Sequence, residues 1–518
     1  MEADKSAVGA INRPLRLVRV QICDCPFLRS VENLKRGLLQ VTVIMGYNEV
    51  RDLLCYQRRS MMSIQTINPT SGEVLETFEP YNREQINEAL DDVRQGFLFW
   101  RTNTFAERAK HLHSVASHLR ERKKALARIA VLEMGKTITE AEAEVEKCAW
   151  NCDFYAYNAG RFLADEKVAT NATESYVAFR PLGVILAIMP WNFPYWQVFR
   201  FAAPALMAGN TTILKHASNV SRVALEIERI FQEAGLPKGI FRTVLVPGSE
   251  TGKLIADPRV AAVTLTGSEL AGVEVASASG HALKKTVLEL GGSDAFIVLE
   301  DADLDEAAQV AVTARFQNNG QSCIAAKRFI VVESVAEAFE QKFVANTAKL
   351  KVGDPLEYDT RVGPLARKDL CEALDQQVQR SIQQGARVLI GGKMRAGKGN
   401  FYEPTILTNV TPEMPVFSEE TFGPAAAVIR ARDVEHAIEL ANDTQFGLGS
   451  NLWTRNIELA RKLAARIEAG GVFINGMMAS DPHLPFGGVK SSGYGRELSS
   501  FGIQEFVNIQ TVWIGPKI

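Results

Sequence analysis

The chain has 518 residues, is 46% hydrophobic and 23% charged, and carries a formal net charge of −2. That length suits two or three domains of ~150 residues, while the near-neutral charge without a basic stripe speaks against nucleic acid, and no apolar run reaches the ~20 residues a membrane helix needs. Seven scattered cysteines, an odd number, argue against a disulfide framework and for a reducing, cytoplasmic setting with no metal cluster.

Residues 1–61 stand apart. The first sixty carry ten Lys/Arg against six Asp/Glu and three of the cysteines, with Arg13, Arg16 and Arg19 interrupting the apolar runs. They show neither the apolar core nor the cleavage site of a signal peptide. This stretch reads as a non-native or flexible upstream extension, with a targeting arm as the second reading and the folded protein starting near Met62. From Ile67, INPTSGEVLETFEP gives two short extended runs around a turn at Ser71-Gly72. Residues 83–166 are rich in Ala, Leu, Glu, Arg and Lys at helical spacing and predict three or four amphipathic helices.

Short apolar strands then alternate with helical text. The strands are GVILAIMP (183–190), TTILKHA (211–217), FRTVLVPG (241–248), AAVTLTGS (261–268) and KTVLELGG (285–292). Such alternation predicts an α/β fold with a doubly wound, Rossmann-like parallel sheet. A second α/β series follows with strands at 294–300, 327–334, 387–392, 425–431, 449–454 and 471–476. ESYVAFRP (174–181) and NIQTVWI (508–514) alternate like exposed strands, yet are too apolar for a free edge, so pairing with another subunit is expected. The stretch from Gly392 to Gly399 nearly spells a phosphate-binding loop, but lacks the Ser/Thr and the following helix. Cys148 and Cys152 lie one helical turn apart without further metal ligands nearby.

Five segments carry residues suited to chemistry. In IMPWNFPYWQVFR a strand ends at Pro190, and Asn192 offers an amide donor that suits an oxyanion. Lys215 ends a strand in LKHASN and can reach a ribose or phosphate. In TLTGS, Gly267-Ser268 opens a helix and allows close backbone approach. Glu289 in VLELGGSD places a carboxylate inside an apolar strand, which is costly unless it has a partner or a role. Cys323 in FQNNGQSCIAAKR follows a glycine-hinged polar turn, where a nucleophile can be partly exposed; alone, such a cysteine is more often a small buried apolar residue.

The ordered set PWNFP, LK-x-A, TLTGS, LELGG, GQ-x-C, EE-x-FGP and PFGG-x-K-x-SG-x-GRE resembles the aldehyde dehydrogenase superfamily, from about Ile67 to the chain end. The resemblance implies a Rossmann-like cofactor domain (62–173 and 183–288), a second α/β catalytic domain (289–500) and a small bridging oligomerisation element (174–182 and 501–518) of a homodimer or homotetramer. It implies Cys323 as nucleophile, Glu289 as the base that activates water, and Asn192 with the Cys323 N–H as oxyanion donors. It places Lys215 at the adenosine ribose, Gly267 and Ser268 near the phosphates and nicotinamide, and Glu420 and Phe422 on the nicotinamide ribose and ring. Met189, Pro190, Trp191, Ser218, Gly248 and Leu290 complete the implied cofactor contacts.

Departures refine this expectation. Ser218 stands where many NAD-preferring relatives carry glutamate, so NADP is expected to be accepted, with NAD also possible. Arg200 matches an arginine that holds a substrate carboxylate in succinate semialdehyde dehydrogenases, a task suited to its bidentate fork. Six residues before Cys323, Gln317 replaces a second arginine; Gln317 and Ser480 could still hydrogen-bond a carboxylate, with Asp481 at the pocket mouth. The text LELGGSD, GQSCIAAKRF and INGMMASD is similar to bacterial NAD(P)-dependent succinate semialdehyde dehydrogenases. Oxidation of succinate semialdehyde to succinate is therefore expected. The alternatives are glutarate semialdehyde, an aliphatic aldehyde, or an inactive binding relative. A cysteine hydrolase would want a histidine near Cys323, and an acylating CoA enzyme would not need Glu289.

Overall fold

The computed structural model describes residues 63–515, so the expectation for residues 1–61 lies outside the described part. It opens on an antiparallel pair, β1 (Ile64–Ile67) and β2 (Val74–Phe78), turned at Gly72 with φ 77°. Four helices follow: α1 (Arg83–Trp100), α2 (Phe105–Glu121), α3 (Lys123–Met134) and α4 (Ile138–Phe162). Asn82 and Thr104 start the first two with reciprocal capping boxes, and Thr137 caps the fourth. Gly135 ends α3 at φ 83°, where a Cβ would meet the Pro364 carbonyl at 2.7 Å.

Two large sheets carry the rest. The first is six-stranded, built from β5 (Val184–Met189), β6 (Thr211–His216), β7 (Phe241–Thr243), β8 (Val260–Thr266), β9 (Lys285–Glu289) and β17 (Gly493–Tyr494), in the order β17-β9-β8-β5-β6-β7. All its neighbours are parallel except β17, which pairs antiparallel with β9. Helices α5 (Trp196–Met207), α6 (Ser221–Glu233), α7 (Thr251–Ala256) and α8 (Glu269–His281) are its crossovers. The chain runs outward from β5 through β6 to β7, then returns to β8 on the other side. The gap between β5 and β8 is therefore the topological switch point, where open α/β sheets take ligands beyond the carboxyl ends of their strands.

The second sheet has seven strands, adding β10 (Asp294–Val298), β11 (Ala326–Val332), β12 (Arg387–Ile390), β13 (Thr405–Thr408), β14 (Ala425–Ala431), β15 (Gly449–Trp453) and β16 (Gly471–Ile474), in the order β12-β13-β14-β11-β10-β15-β16. It is parallel except for β12. A third sheet joins β3 (Glu166–Lys167), β4 (Glu174–Pro181) and β18 (Val507–Ile514), all antiparallel.

Several expectations need correction. The strand expected over 241–248 ends at Thr243, because Val244 to Val246 are buried by packing while Pro247-Gly248 turns the chain into a short 3-10 segment. The strand Thr405–Thr408 was not foreseen, being only four residues long. β4 is no edge: it lies between β18 and β3, and β18 alone leaves Ile509, Trp513 and Ile514 exposed. Cys148 and Cys152 are buried on α4, and no metal-binding group of side chains occurs among the described residues.

Candidate active site

Cys323 follows the helix α9 (Leu304–Phe316) and a tight turn in which Asn318 and Asn319 sit at φ 54° and 57°. Asparagine tolerates this left-handed backbone because its short side chain can bond locally. Here both side chains bond outward. The Asn318 amide donates to the carbonyls of Asn192 and Gln321, each at 2.9 Å, while its backbone N–H donates to Glu140 of α4 at 2.7 Å. Asn319 Nδ2 donates to Gly135 O and Pro364 O at 2.9 and 3.0 Å. Behind the cysteine, buried Lys327 of β11 donates to the carbonyls of Ser322 and Cys323 at 3.0 and 2.8 Å and lies 3.3 Å from Glu420. The backbone that carries the thiol is thus held in place.

Two cavities meet at this residue. One, about 220 Å³, is lined by Glu140, Glu144 and Lys147 of α4, Gln197 and Arg200 of α5, Gln317, the segment 477–480 and Phe486, with Cys323 in its wall. The other, about 400 Å³, lies at the switch point: Pro190, Trp191 and Asn192 continue β5, Thr266, Gly267 and Ser268 end β8, and Leu290 ends β9. Glu420, Phe422 and again Cys323 close it, with Trp191 and Phe422 rings edge-to-face at 5.7 Å. Ser268 caps α8, so the N-terminus of that helix opens beside the cavity with its positive dipole end.

Asn192 is buried, and its Nδ2 donates to Gln321 O at 3.1 Å, two residues before the thiol. Its segment is held by Glu144, whose carboxylate accepts from the N–H groups of Tyr195 and Trp196 at 2.8 and 2.9 Å and pairs with buried Lys136. Burial pushes the Cys323 thiol up to about 12, against the opposing pull of Arg200 and Lys327. Glu289 is buried with neither carboxylate oxygen hydrogen-bonded. Burial, then the neighbouring Glu497, raises it well above the ordinary carboxylate range, with Arg200 and Arg496 opposing.

The other expected positions are distributed unevenly. Arg200 lines the smaller cavity, but its guanidinium is buried, paired with Glu497, bonded to Thr266 Oγ1 at 3.3 Å and stacked 4.6 Å from the Phe486 ring. Gln317 and Ser480 line that cavity; Asp481 does not, and instead accepts from the His483 backbone at 2.8 Å. Glu289, Met189, Lys215, Ser218 and Gly248 line neither cavity. Lys215 nonetheless ends β6, next to β5, and burial lowers its ammonium pKa. No hydrogen bond or ion pair engages its side chain among the described residues. Ser218 is exposed three residues on, at the start of a 3-10 turn.

Other functional positions were not foreseen. Gln197 lines both cavities. Lys327 and Glu497 lie inside the GQSCIAAKR and GRE texts, so their signal was available. Glu140, Ala143, Glu144 and Lys147 follow the i, i+3, i+4, i+7 spacing of one helix face, a signal hidden among the many polar residues of α4.

Comparison with known proteins agrees with this geometry. The aldehyde dehydrogenase family model matches residues 56–512. A Synechocystis protein named a probable NADP(+) succinate-semialdehyde dehydrogenase is 54% identical over 453 residues, covering 88% of this chain and all of that one. The Escherichia coli NAD(P)+ succinate semialdehyde dehydrogenase Sad is 50% identical over 448 residues, covering 86% and 97%. The crystal structure of succinic semialdehyde dehydrogenase from Streptococcus pyogenes in complex with NADP+ superposes with a TM-score of 0.86 at 39% identity, covering 88% of this chain and 100% of that one.

Proposed function

Because the chain belongs to the aldehyde dehydrogenase family, we propose that it oxidises succinate semialdehyde to succinate with NADP or NAD, using Cys323 as nucleophile. The observation that carries this reading is the single thiol shared by two cavities, one at the sheet's switch point and one of a size for a short aldehyde. The larger cavity suits a nicotinamide nucleotide: two aromatic rings, two strand-end turns and a helix N-terminus face it, and Lys215 offers an unengaged cation beside β5. Ser218 puts no carboxylate near a 2′-phosphate, which supports NADP use.

The Cys323 thiolate attacks the aldehyde carbon, the carbon–oxygen π bond breaks, and the oxygen takes the negative charge. One N–H of the Asn192 amide is held by Gln321; the other, with the Cys323 N–H, is assigned to that oxygen. A nicotinamide held between Trp191, Phe422 and Glu420 would supply the hydride acceptor that lets the carbon become a thioester. Glu289 then removes a proton from water, the resulting hydroxide attacks the thioester carbon, and the carbon–sulfur bond breaks to release the acid and the thiolate. Arg200, Gln317 and Ser480 line the cavity assigned to the aldehyde. The cofactor-binding domain is assigned to residues 62–173 and 183–288 and the catalytic domain to residues 289–500, with Leu290, Glu420 and Phe422 of the latter also lining the larger cavity. Self-association as a homodimer or homotetramer is assigned to residues 174–182 with 501–518, supported by the exposed Ile509 and Trp513 on β18. Free cysteines at Cys148, Cys152, Cys323 and Cys371 support a cytoplasmic setting.

Initial rates with succinate semialdehyde and with butanal, each with NADP and NAD, test the proposal alongside Cys323→Ala. We expect the carboxylated aldehyde to be favoured in kcat/KM and the variant to be inactive. Equal kcat/KM for butanal would remove the substrate assignment, and an active Cys323→Ala would remove the mechanism.

A further inference from the structure

The cation expected to hold the substrate carboxylate, Arg200, is already engaged. Its buried guanidinium pairs with the buried Glu497 carboxylate, so the two together bring little net charge to the cavity. The two carboxylates in the same wall are also committed. Glu144 pairs with Lys136 and caps α5, and Glu140 accepts from Asn318 and Thr137. One charged lining residue remains, Lys147, projecting from the same face of α4. Its ammonium donates to Ser480 Oγ at 2.7 Å and lies 4.4 Å over the Trp196 ring. Among the described residues, no carboxylate is in ion-pair contact with it.

We propose that Lys147, steadied by Ser480 and Trp196, is the specificity-determining cation that receives the carboxylate of the aldehyde substrate. This rests on the succinate semialdehyde reading above and deepens it. Three features fit an ammonium awaiting an anion. It is half-buried, so a charge contact there is screened less than at the surface. Burial, and then Arg200, pull it down to about 8, so an arriving carboxylate would restore its preference for the charged form. Its hydroxyl partner is neutral, and the nearby Asp481 and Glu144 carboxylates act on it only from beyond ion-pair contact. A neutral aldehyde would gain nothing from this charge, so Lys147 acts on discrimination and leaves the chemistry at Cys323 alone.

The test compares kcat and KM for succinate semialdehyde and butanal in wild type, Lys147→Met, Lys147→Gln and Lys147→Arg. Methionine keeps the apolar stem over Trp196; glutamine keeps a donor for Ser480. A charged hydrogen bond of this kind corresponds to about 10- to 100-fold in binding. We expect both neutral variants to raise KM for succinate semialdehyde by that factor, with kcat and the butanal parameters changing less than threefold, and Lys147→Arg to recover most of the loss. Wild type preferring the carboxylated aldehyde while both neutral variants keep the same preference would overturn the role of Lys147 and leave the substrate reading standing. Wild type with no preference would overturn both. If Lys147→Met fails to fold, Lys147→Gln against Lys147→Arg decides the question by the same ratio.

Discussion

Glu497→Gln offers a sharp test of how the general base is tuned. Glu289 and Glu497 are both buried, and Arg200 pairs with Glu497. Glu289 is raised chiefly by burial and next by the Glu497 charge. Glutamine removes that charge while keeping an oxygen that can accept from Arg200. At an effective dielectric of ~20, a like charge within roughly 4–6 Å of a buried carboxylate is worth on the order of 3 kcal/mol. Burial is unchanged, so the Glu289 pKa should fall and remain above the ordinary carboxylate range. The base acts deprotonated, so the acid limb of the kcat–pH profile should move to lower pH by the same amount. A profile whose acid limb stays in place or moves up would show that Glu289 is not the titrating base, or that Glu497 does not tune it. Folding should weaken as well, because losing one partner of a buried pair costs up to about 3–5 kcal/mol. That loss should fade at low pH, where Glu497 of the wild type is itself protonated because burial raises its carboxyl.

Three further outcomes are expected. Asn192→Ala should lower kcat by about 10²- to 10³-fold, the effect of one oxyanion donor; a loss below fivefold would place the oxyanion elsewhere. Alkylation of Cys323 by iodoacetamide, followed by mass spectrometry of its peptide, should accelerate about tenfold per pH unit from 7 to 10. With the thiol pushed up to about 12, the thiolate fraction rises throughout that window, and a plateau below pH 9 would contradict the burial argument. Ser218→Glu should raise the KM for NADP by about 10- to 100-fold and leave NAD nearly unaffected, because a carboxylate there would repel a 2′-phosphate. Equal effects on both nucleotides would put the 2′-phosphate at another position.

The parallel strands were legible because they are buried on both faces. VILAIM of β5 is buried at every position and reads as an unbroken apolar run; AKRFIVV of β11 is equally buried, and its FIVV end carries the apolar signal. Strand ends were less legible, since Val244–Val246 has the same composition as a strand but is buried by packing. Which edges stay free was not legible either: β4 has the text of an exposed strand and lies between two partners. At the site, Cys323, Asn192, Gly267 and Ser268 stood out because each occupies a local turn whose chemistry is written in neighbouring residues. Lys147 carries no such mark. Its meaning comes from Ser480, 333 positions away.

Arg200 shows most clearly what a one-dimensional text leaves out. An arginine six residues beyond the PWNFP segment has the right chemistry for a carboxylate, and it lines the smaller cavity. Whether it is free to act depends on countercharge, and Glu497, nearly 300 residues away, arrives only through folding. Once that pair forms, Arg200 contributes mainly to the electrostatics of Glu289 and Cys323, since it lowers both pKa values. With Gln317 uncharged, the positive charge left for the substrate lies on Lys147, a point charge on a flexible stem. The arginine that suggests a substrate clamp in the sequence lies, once folded, beside Glu497 and the catalytic pair, and the clamp proposed above is Lys147 of α4 in the wall of the same cavity.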